Sequence, residues 1–569
     1  MFINSLKLAK FMIRQERVNS TVWILSMVLF NFAILLLMGL LLMPEAADRL
    51  EFMAMLENPA LLAMVGPLYS MDVTTMGALY TMMMFVFVAI AVGIMNIFLI
   101  VRHTRADEEA GRYEVLRSLP CGRLANVNAA MLTALIVNTV MAVLFAITMW
   151  IGMAMVNDPM GFGAALLWGI TLGIVGLAFA AVAALFSQLS SNSRGASGYS
   201  FFVLGLFYFL RAGADMDRDR MDFLAYFSPL GLASRTWVYV NNIWWPILII
   251  LGMAAIFTAL AYWMCSIRDI DQGLIPARPG SATGGWLLKS PLGLNVRLMR
   301  ASIIVWVIVL FVVGFSYSTV LEDIDSFVAG NEMYRQMLLA PTGLLDQIDI
   351  DQMSTADIAA QMNAVLNMAG FNIVQMFANM IGFMMAFMSL VPVLLFVLKA
   401  RAEERAIRAE IIFATPASRT RYLLGFVIIS FVSAALMQVA HAVGLYTIVP
   451  SVLANPADLP LSFLLQSALL YVPALWVMSG LAVLLIGLFP KKAGWIWAYY
   501  GFSLFAMMYG RMIPEIDWVA NLTPFGWVPQ LPVDDISWPV IVVMSVIGIG
   551  FAAAGMFFYS KRDINAITH

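Results

Sequence analysis

Apolar runs of about 20 residues recur along this chain from one end to the other, which leaves few folds open. A run of that length crosses a bilayer as a helix, because lipid offers backbone N–H and C=O groups no partners outside the helix itself. Twelve such segments are expected, roughly 21–43, 75–101, 124–152, 164–187, 197–211 and 244–266, then 302–320, 372–398, 422–449, 462–488, 494–510 and 539–560. The fifth is barely long enough. A mean hydropathy of +0.88 with only 12% charged residues overrides the several soluble domains that 569 residues would otherwise suggest. The expected fold class is an all-α polytopic membrane protein of about 12 transmembrane helices, arranged as two pseudo-symmetric six-helix halves.

Against that apolar background one charged segment occurs twice. Residues 105–123 (RADEEAGRYEVLRSLPCGR) align without a gap on 401–419 (RAEERAIRAEIIFATPASR), 296 positions later. Arg105, Ala106, Glu108, Ala110, Arg112, Glu114, Pro120 and Arg123 recur as Arg401, Ala402, Glu404, Ala406, Arg408, Glu410, Pro416 and Arg419. Arg105, Glu108, Glu109 and Arg112 fall on one face of a helix, which predicts i,i+4 ion pairs Arg105–Glu109 and Glu108–Arg112. Pro120 would end that helix. The second copy repeats the pattern with Arg401, Glu404, Arg405, Arg408 and Glu410. A solvated loop that only sets topology is the plain alternative. The duplicated acidic residues weigh against it, since positive-inside sorting is nearly indifferent to Glu.

Two further landmarks repeat. Ser228-Pro-Leu-Gly231 matches Thr523-Pro-Phe-Gly526, and Trp245-Pro246 matches Trp538-Pro539. The layout expected from them is an interfacial helix over 1–20, a first half over 21–266, and a turn-rich linker with a second interfacial helix over 267–301. A second half over 302–560 and a tail over 561–569 complete it. The second half contains an acidic loop, 321–371, with Glu322, Asp323, Asp325, Glu332, Asp346, Asp349, Asp351 and Asp357. With the N-terminus inside, 25 of the 32 Lys and Arg fall on the cytoplasmic side. Both termini and both charged segments are then cytoplasmic, and the acidic loop is extracellular. The N-terminal stretch shows no cleavable signal pattern.

Motifs for chemistry are sparse. Residues 284–290 lack the Gly-Lys pair of a phosphate cradle, no dinucleotide fingerprint occurs, and nothing in the net charge of −2 points to nucleic acid. His103, His441 and His569 are dispersed, so no metal site is expected, and Cys121 and Cys265 read as ordinary thiols. No Asp or Glu lies in the middle of any expected span, although ion-coupled carriers usually place a carboxylate there. Energy must therefore enter elsewhere, and the charged segments offer the entry. Asn31, Asn96, Asn138, Gln375, Asn379, Gln438 and His441 lie inside spans. They are read as a substrate pathway or, individually more often, as hydrogen bonds between helices. The 42 methionines suit an adaptable apolar wall or ordinary lipid-facing filler.

Glu108-Glu-Ala-Gly-Arg-Tyr-Glu-Val-Leu-Arg-Ser-Leu-Pro120 resembles the coupling segment between the second and third spans of ABC-2 type permeases. The Ser/Thr-Pro-x-Gly landmark before each half's last span is similar to that family too. The double length, the linker Gly273-Leu-Ile-Pro-Ala-Arg-Pro-Gly280 and Ser290-Pro-Leu-Gly-Leu294 resemble the subgroup that exports polyketide antibiotics, the tetronasin-type permeases. The resemblance implies one polypeptide supplying both transmembrane halves in a bacterial cytoplasmic membrane. It implies two copies of a separate ABC ATPase subunit, which bind ATP and Mg2+, with no cofactor and no enzymatic activity in this chain. The cargo would be hydrophobic or amphipathic small molecules, as in antibiotic or multidrug efflux. Coupling helices would be carried by Arg105–Leu119 and Arg401–Thr415. Ile407 in place of Gly111, and Arg405 in place of Glu109, depart from the pattern and imply unequal contacts. A lipid or glycolipid exporter of the same architecture is one alternative; a membrane sensor or scaffold that transports nothing is another.

Overall fold

A computed structural model describes residues 1–43, 75–158, 161–216, 218–269, 272–275, 290–318, 355–453, 455–509 and 514–562, with scattered positions between them. The described residues are overwhelmingly helical, with no strand among them, and the protein is a multi-pass membrane protein. Two compact units divide at Gly280 and Ser281.

The first unit comprises α1 (Ser5–Leu37), α2 (Met76–Val101), the short α3 (Arg112–Arg117), α4 (Ala125–Met155), α5 (Phe162–Leu189), α6 (Ser193–Met216), the short α7 (Pro229–Ser234) and α8 (Trp245–Ile267). The second comprises α9 (Pro291–Ser318), α10 (Thr355–Met368), α11 (Ile373–Arg405), the short α12 (Arg408–Phe413), α13 (Arg419–Tyr446), α14 (Leu461–Leu470), α15 (Val472–Leu488), α16 (Ile496–Tyr509) and α17 (Trp538–Lys561). Within the first unit α1 packs on α4, and α8 on α5; within the second α9 packs on α13, and α17 on α15. Each unit thus seats its first long helix and its last on the two spans that follow its charged segment, α14 and α15 together making the second of these in the second unit.

Ten helices among the described residues are long and apolar enough to cross a membrane, rather than the twelve expected. The other two expected spans fall in α6 and α16. α16 has 14 residues, about 21 Å at the usual rise, against about 30 Å of hydrocarbon. α6 has 24 residues but ends on a polar cluster. There Arg211 pairs with Asp215 at 2.6 Å, and Arg235 lies 2.7 Å from both Asp215 and Asp222. Burial alone would push the Arg235 guanidinium down, yet the two carboxylates outweigh it and hold it above its ordinary value.

Residues 5–37 form one uninterrupted helix, so the basic N-terminal stretch and the first span are a single element. Pro291–Ser318 does the same for residues 294–300 and the span after them. Neither stretch contains a Gly-Pro turn that would separate an interfacial helix from a crossing one. In the acidic loop only 355–371 and positions 321, 324 and 328 are described, and 355–368 is helical; the remaining acidic positions lie outside the described residues, as do 563–569 of the tail.

The repeated Ser/Thr-Pro-x-Gly landmark is a helix start. The Ser228 hydroxyl accepts from the N–H groups of Leu230 and Gly231, and Thr523 accepts from Gly526. Packing between α15 and α17 depends on close backbone approach. A Cβ at Gly487 would sit 2.4 Å from the Gly555 carbonyl oxygen. Gly487→Val should cost about 2–3 kcal/mol, whereas Gly550→Val, whose Cβ meets nothing within 4 Å, should be close to neutral. Thermal melts of the detergent-purified chain compare the two.

Candidate functional site

The charged segment does not form the single helix expected of it. α2 continues past Val101 in one wide turn over Arg102–Ala106 and a short helical stretch over Asp107–Glu109. The chain then breaks at Gly111, φ 72°, before α3. In the second unit α11 runs to Arg405 and breaks at Ile407, φ 61°, before α12. The backbone hydrogen bonds at the two breaks correspond. Ala110 and Ala406 donate to the carbonyls of Ala106 and Ala402, both at 3.1 Å. Gly111 and Ile407 donate to those of Glu108 and Glu404, both at 3.0 Å. Ile407 therefore adopts the same left-handed conformation as the glycine it replaces, at a cost that a β-branched residue carries and glycine does not. Ile407→Gly should raise stability by about 1 kcal/mol and Gly111→Ala lower it by about as much, read as opposite shifts in melting temperature.

That break re-pairs the charges. The i,i+4 pairs Arg105–Glu109 and Glu108–Arg112 expected on a continuous helix are replaced. Arg112 reaches Asp107 at 2.7 Å, and Arg408 reaches Glu403, the residue at the same place in the second copy, at 3.4 Å. Glu109 accepts from the Ser193 N–H at 3.0 Å and from its hydroxyl, while Arg405 at the matching position is exposed.

Glu108 and Glu404 turn inward. Glu108 lies 2.9 Å from Arg105 and takes both terminal nitrogens of Arg268, also at 2.9 Å. Glu404 takes Arg562 with both oxygens, at 2.8 and 2.5 Å. Arg268 and Arg562 are the first residues beyond α8 and α17, the last span of each unit. Arg123 then donates to the carbonyls of Cys265 and Arg268, at 3.1 and 2.6 Å, and Arg419 to that of Arg562 at 2.7 Å. A guanidinium on the last carbonyls of a helix also meets the negative end of its dipole. A third tie repeats as well. Arg105 donates to the Ser191 carbonyl at 2.6 Å, just past α5, and Arg401 to the Lys491 carbonyl at 3.2 Å, just past α15. Each unit therefore clasps its charged segment to the ends of two spans, through residues far apart in the chain.

Beyond the clasp the short helices carry different side chains. Glu114 and Glu410 are exposed, as are Arg112 and Arg408. On α3 the Val115 side chain is 67% exposed and Leu119 just beyond it 52%; on α12 Ile411 is 72% exposed, and Ile407 just before it 57%. Large aliphatic side chains in water beside charged ones are the usual makings of a protein contact. Sequence reasoning found Glu108, Glu404 and their neighbours but missed Asp107, Glu403, Arg268, Arg562 and the aliphatic tips. Alignment of the two copies carried the signal for Asp107 and Glu403, where both residues are acidic though not identical.

Most of the in-span polar residues are engaged between helices. Asn96 and Asn138 exchange amide hydrogen bonds at 3.0 and 2.6 Å. The Tyr80 hydroxyl donates to Asn31, Asn379 accepts from Ser467 at 2.6 Å, and Gln438 donates to Ser389 at 2.7 Å. Gln375 donates to the Asp458 carbonyl at 2.8 Å, and His441 is buried in α13. Bonds of this kind in a membrane contribute about 0.6 kcal/mol each, which suits specificity of packing.

Two similarities to known proteins bear on the chain. A family model described as the C-terminal domain of the multidrug efflux system permease Rv1217c matches residues 288–351 and 349–560, which include the second charged segment. The chain is also similar to the multidrug efflux system permease protein Rv1217c of Mycobacterium tuberculosis. The two are 27% identical over 566 residues, covering 99% of this chain and 96% of that protein.

Proposed function

We propose that this chain is the membrane-spanning permease of an ATP-driven efflux exporter of the ABC-2 type, with both transmembrane halves in one polypeptide. Its cargo is hydrophobic or amphipathic compounds, and its place is a bacterial cytoplasmic membrane with both termini inside. α6 and α16 would complete six helices per half. Two copies of a separate ATPase subunit, which bind the ATP and Mg2+, would dock at α3 and α12.

One observation carries the reading. In each unit a short helix exposes aliphatic side chains beside charged ones, while the turn just before its break is pinned by ion pairs to the end of the last span. A load applied to Val115 or Ile411 therefore has a stiff route into α8 or α17. The long similarity to a multidrug efflux permease supports the export of more than one drug. Closure of the ATPases would push on the two tips and rock the spans attached to them.

Coexpression with a candidate ABC ATPase subunit tests the proposal. A stable complex whose ATP hydrolysis rises when apolar drugs are added is expected. Transport by the purified chain alone, driven by an ion gradient, would overturn it.

A further inference from the structure

Apart from the exposed tips, the first unit has a cavity of about 270 Å3 between α1 and α2. Its wall changes character along both helices in the same sense. α1 contributes Asn19 and Ser20, then Trp23 one turn further into its apolar stretch; α2 contributes Phe98 and Leu99, and Arg102 follows one turn later. The polar members from both sides thus meet at the end nearest the charged segment, and the apolar ones meet toward the span. Phe98 is half exposed.

The rim holds one cation, Arg102, in a built position. The Arg102 guanidinium, half exposed, is positioned by Glu16 at 2.9 Å. Glu16 is buried and shared: His103 lies 3.1 Å away, and Asn19 donates to its carboxylate at 3.0 Å. One carboxylate thus serves a guanidinium and an imidazole, while Lys10, Arg14 and Arg17 on the same helix are exposed. The second copy offers no equivalent cation, since Leu398 stands 296 positions after Arg102.

We propose that this cavity seats an anionic phospholipid of the inner leaflet, with its phosphate against Arg102, Ser20 and Asn19. The start of one acyl chain runs past Trp23, Phe98 and Leu99. The inference rests on the orientation given by the Lys and Arg distribution, and not on the identity of the motor. Basic pockets between spans on the cytoplasmic side suit such headgroups. A soluble anion would use the rim but not the apolar wall that continues into the span. The volume admits a headgroup and the first methylenes rather than a whole lipid.

Native mass spectrometry of the delipidated full chain, titrated with phosphatidylglycerol or phosphatidylcholine in mixed micelles, tests this. One tightly held phosphatidylglycerol is expected, with phosphatidylcholine held at least about tenfold more weakly, a difference of about 1.4 kcal/mol. Arg102→Gln should abolish that preference. Ser20→Leu, which fills the cavity and leaves the Arg102–Glu16 pair in place, should abolish binding even if Arg102→Gln folds poorly. Arg14→Gln, outside the cavity, should retain the lipid. Equal binding of the two lipids, wild-type binding by Ser20→Leu, or displacement by millimolar inorganic phosphate would each overturn the proposal. The last would make the site one for a soluble anion.

Discussion

Alanine at Glu404 should destabilise the second unit by about 3–5 kcal/mol, the cost of leaving a largely buried arginine without its carboxylate. The Glu404 side chain is 1% exposed and that of Arg562 12%, so little of the lost pairing can be recovered from water. Exposed ion pairs contribute at most about 1 kcal/mol, which is what a solvated charged helix would have implied. The observed burial moves Glu404, and Glu108 with it, from carrying load at a surface to holding the charged segment onto the last span. A double-mutant cycle separates the pair from its surroundings. Glu404→Ala and Arg562→Ala should each be costly, and the double variant should cost clearly less than their sum. Denaturant titration of the detergent-purified chain reads the cycle. Additive losses, or a Glu404→Ala cost below about 0.5 kcal/mol, would mean that the clasp is not formed in solution. Glu410→Ala, on the exposed face of α12, should leave stability unchanged.

The residues that were legible in the sequence and those that were not differ in how far their partners lie along the chain. Apolar runs declare their spans locally, and the match of 105–123 with 401–419 declares two equivalent sites, because both signals are contiguous. Ser228 and Thr523 were visible as landmarks for the same reason: a cap and its first turn lie within four residues. Arg268 is 160 positions from Glu108, and Arg562 is 158 from Glu404, so no local pattern couples them. Both arginines read as ordinary positive-inside charges. The break at residue 111 was carried by a glycine in one copy and hidden by an isoleucine in the other. The i,i+4 reading failed there because it assumed an unbroken helix. α6 and α16 were expected to be spans on apolar content, but a buried ion pair in one and 14 residues in the other limit that reading. Asn96 and Asn138 could be placed inside spans from sequence, yet only the packing of α2 on α4 brings their amides together.

Aspartate at both Val115 and Ile411 should abolish cargo-stimulated ATP hydrolysis while leaving the permease folded. Both side chains are more than two-thirds exposed, so in the isolated chain a carboxylate there stays in water and the fold is indifferent to it. In a complex the same carboxylate must enter an apolar contact, and an unpaired charge taken out of water costs several kcal/mol. A loss of about 3 kcal/mol per contact is more than a hundredfold in affinity, and two contacts on one polypeptide lose their mutual reinforcement as well. Size-exclusion chromatography with the proposed ATPase partner, a melt of the chain alone, and hydrolysis with and without an apolar drug together make the measurement. The single variants decide whether the tips are equivalent. Val115 sits on a helix whose break is a glycine and whose Glu109 is tied to Ser193. Ile411 sits on one whose break is a strained isoleucine and whose Arg405 faces solvent. The second tip also presents Ile407 itself, so Ile411→Asp should be the milder single change. Full activity in the double variant would remove the aliphatic tips from the coupling path, even with the clasp intact.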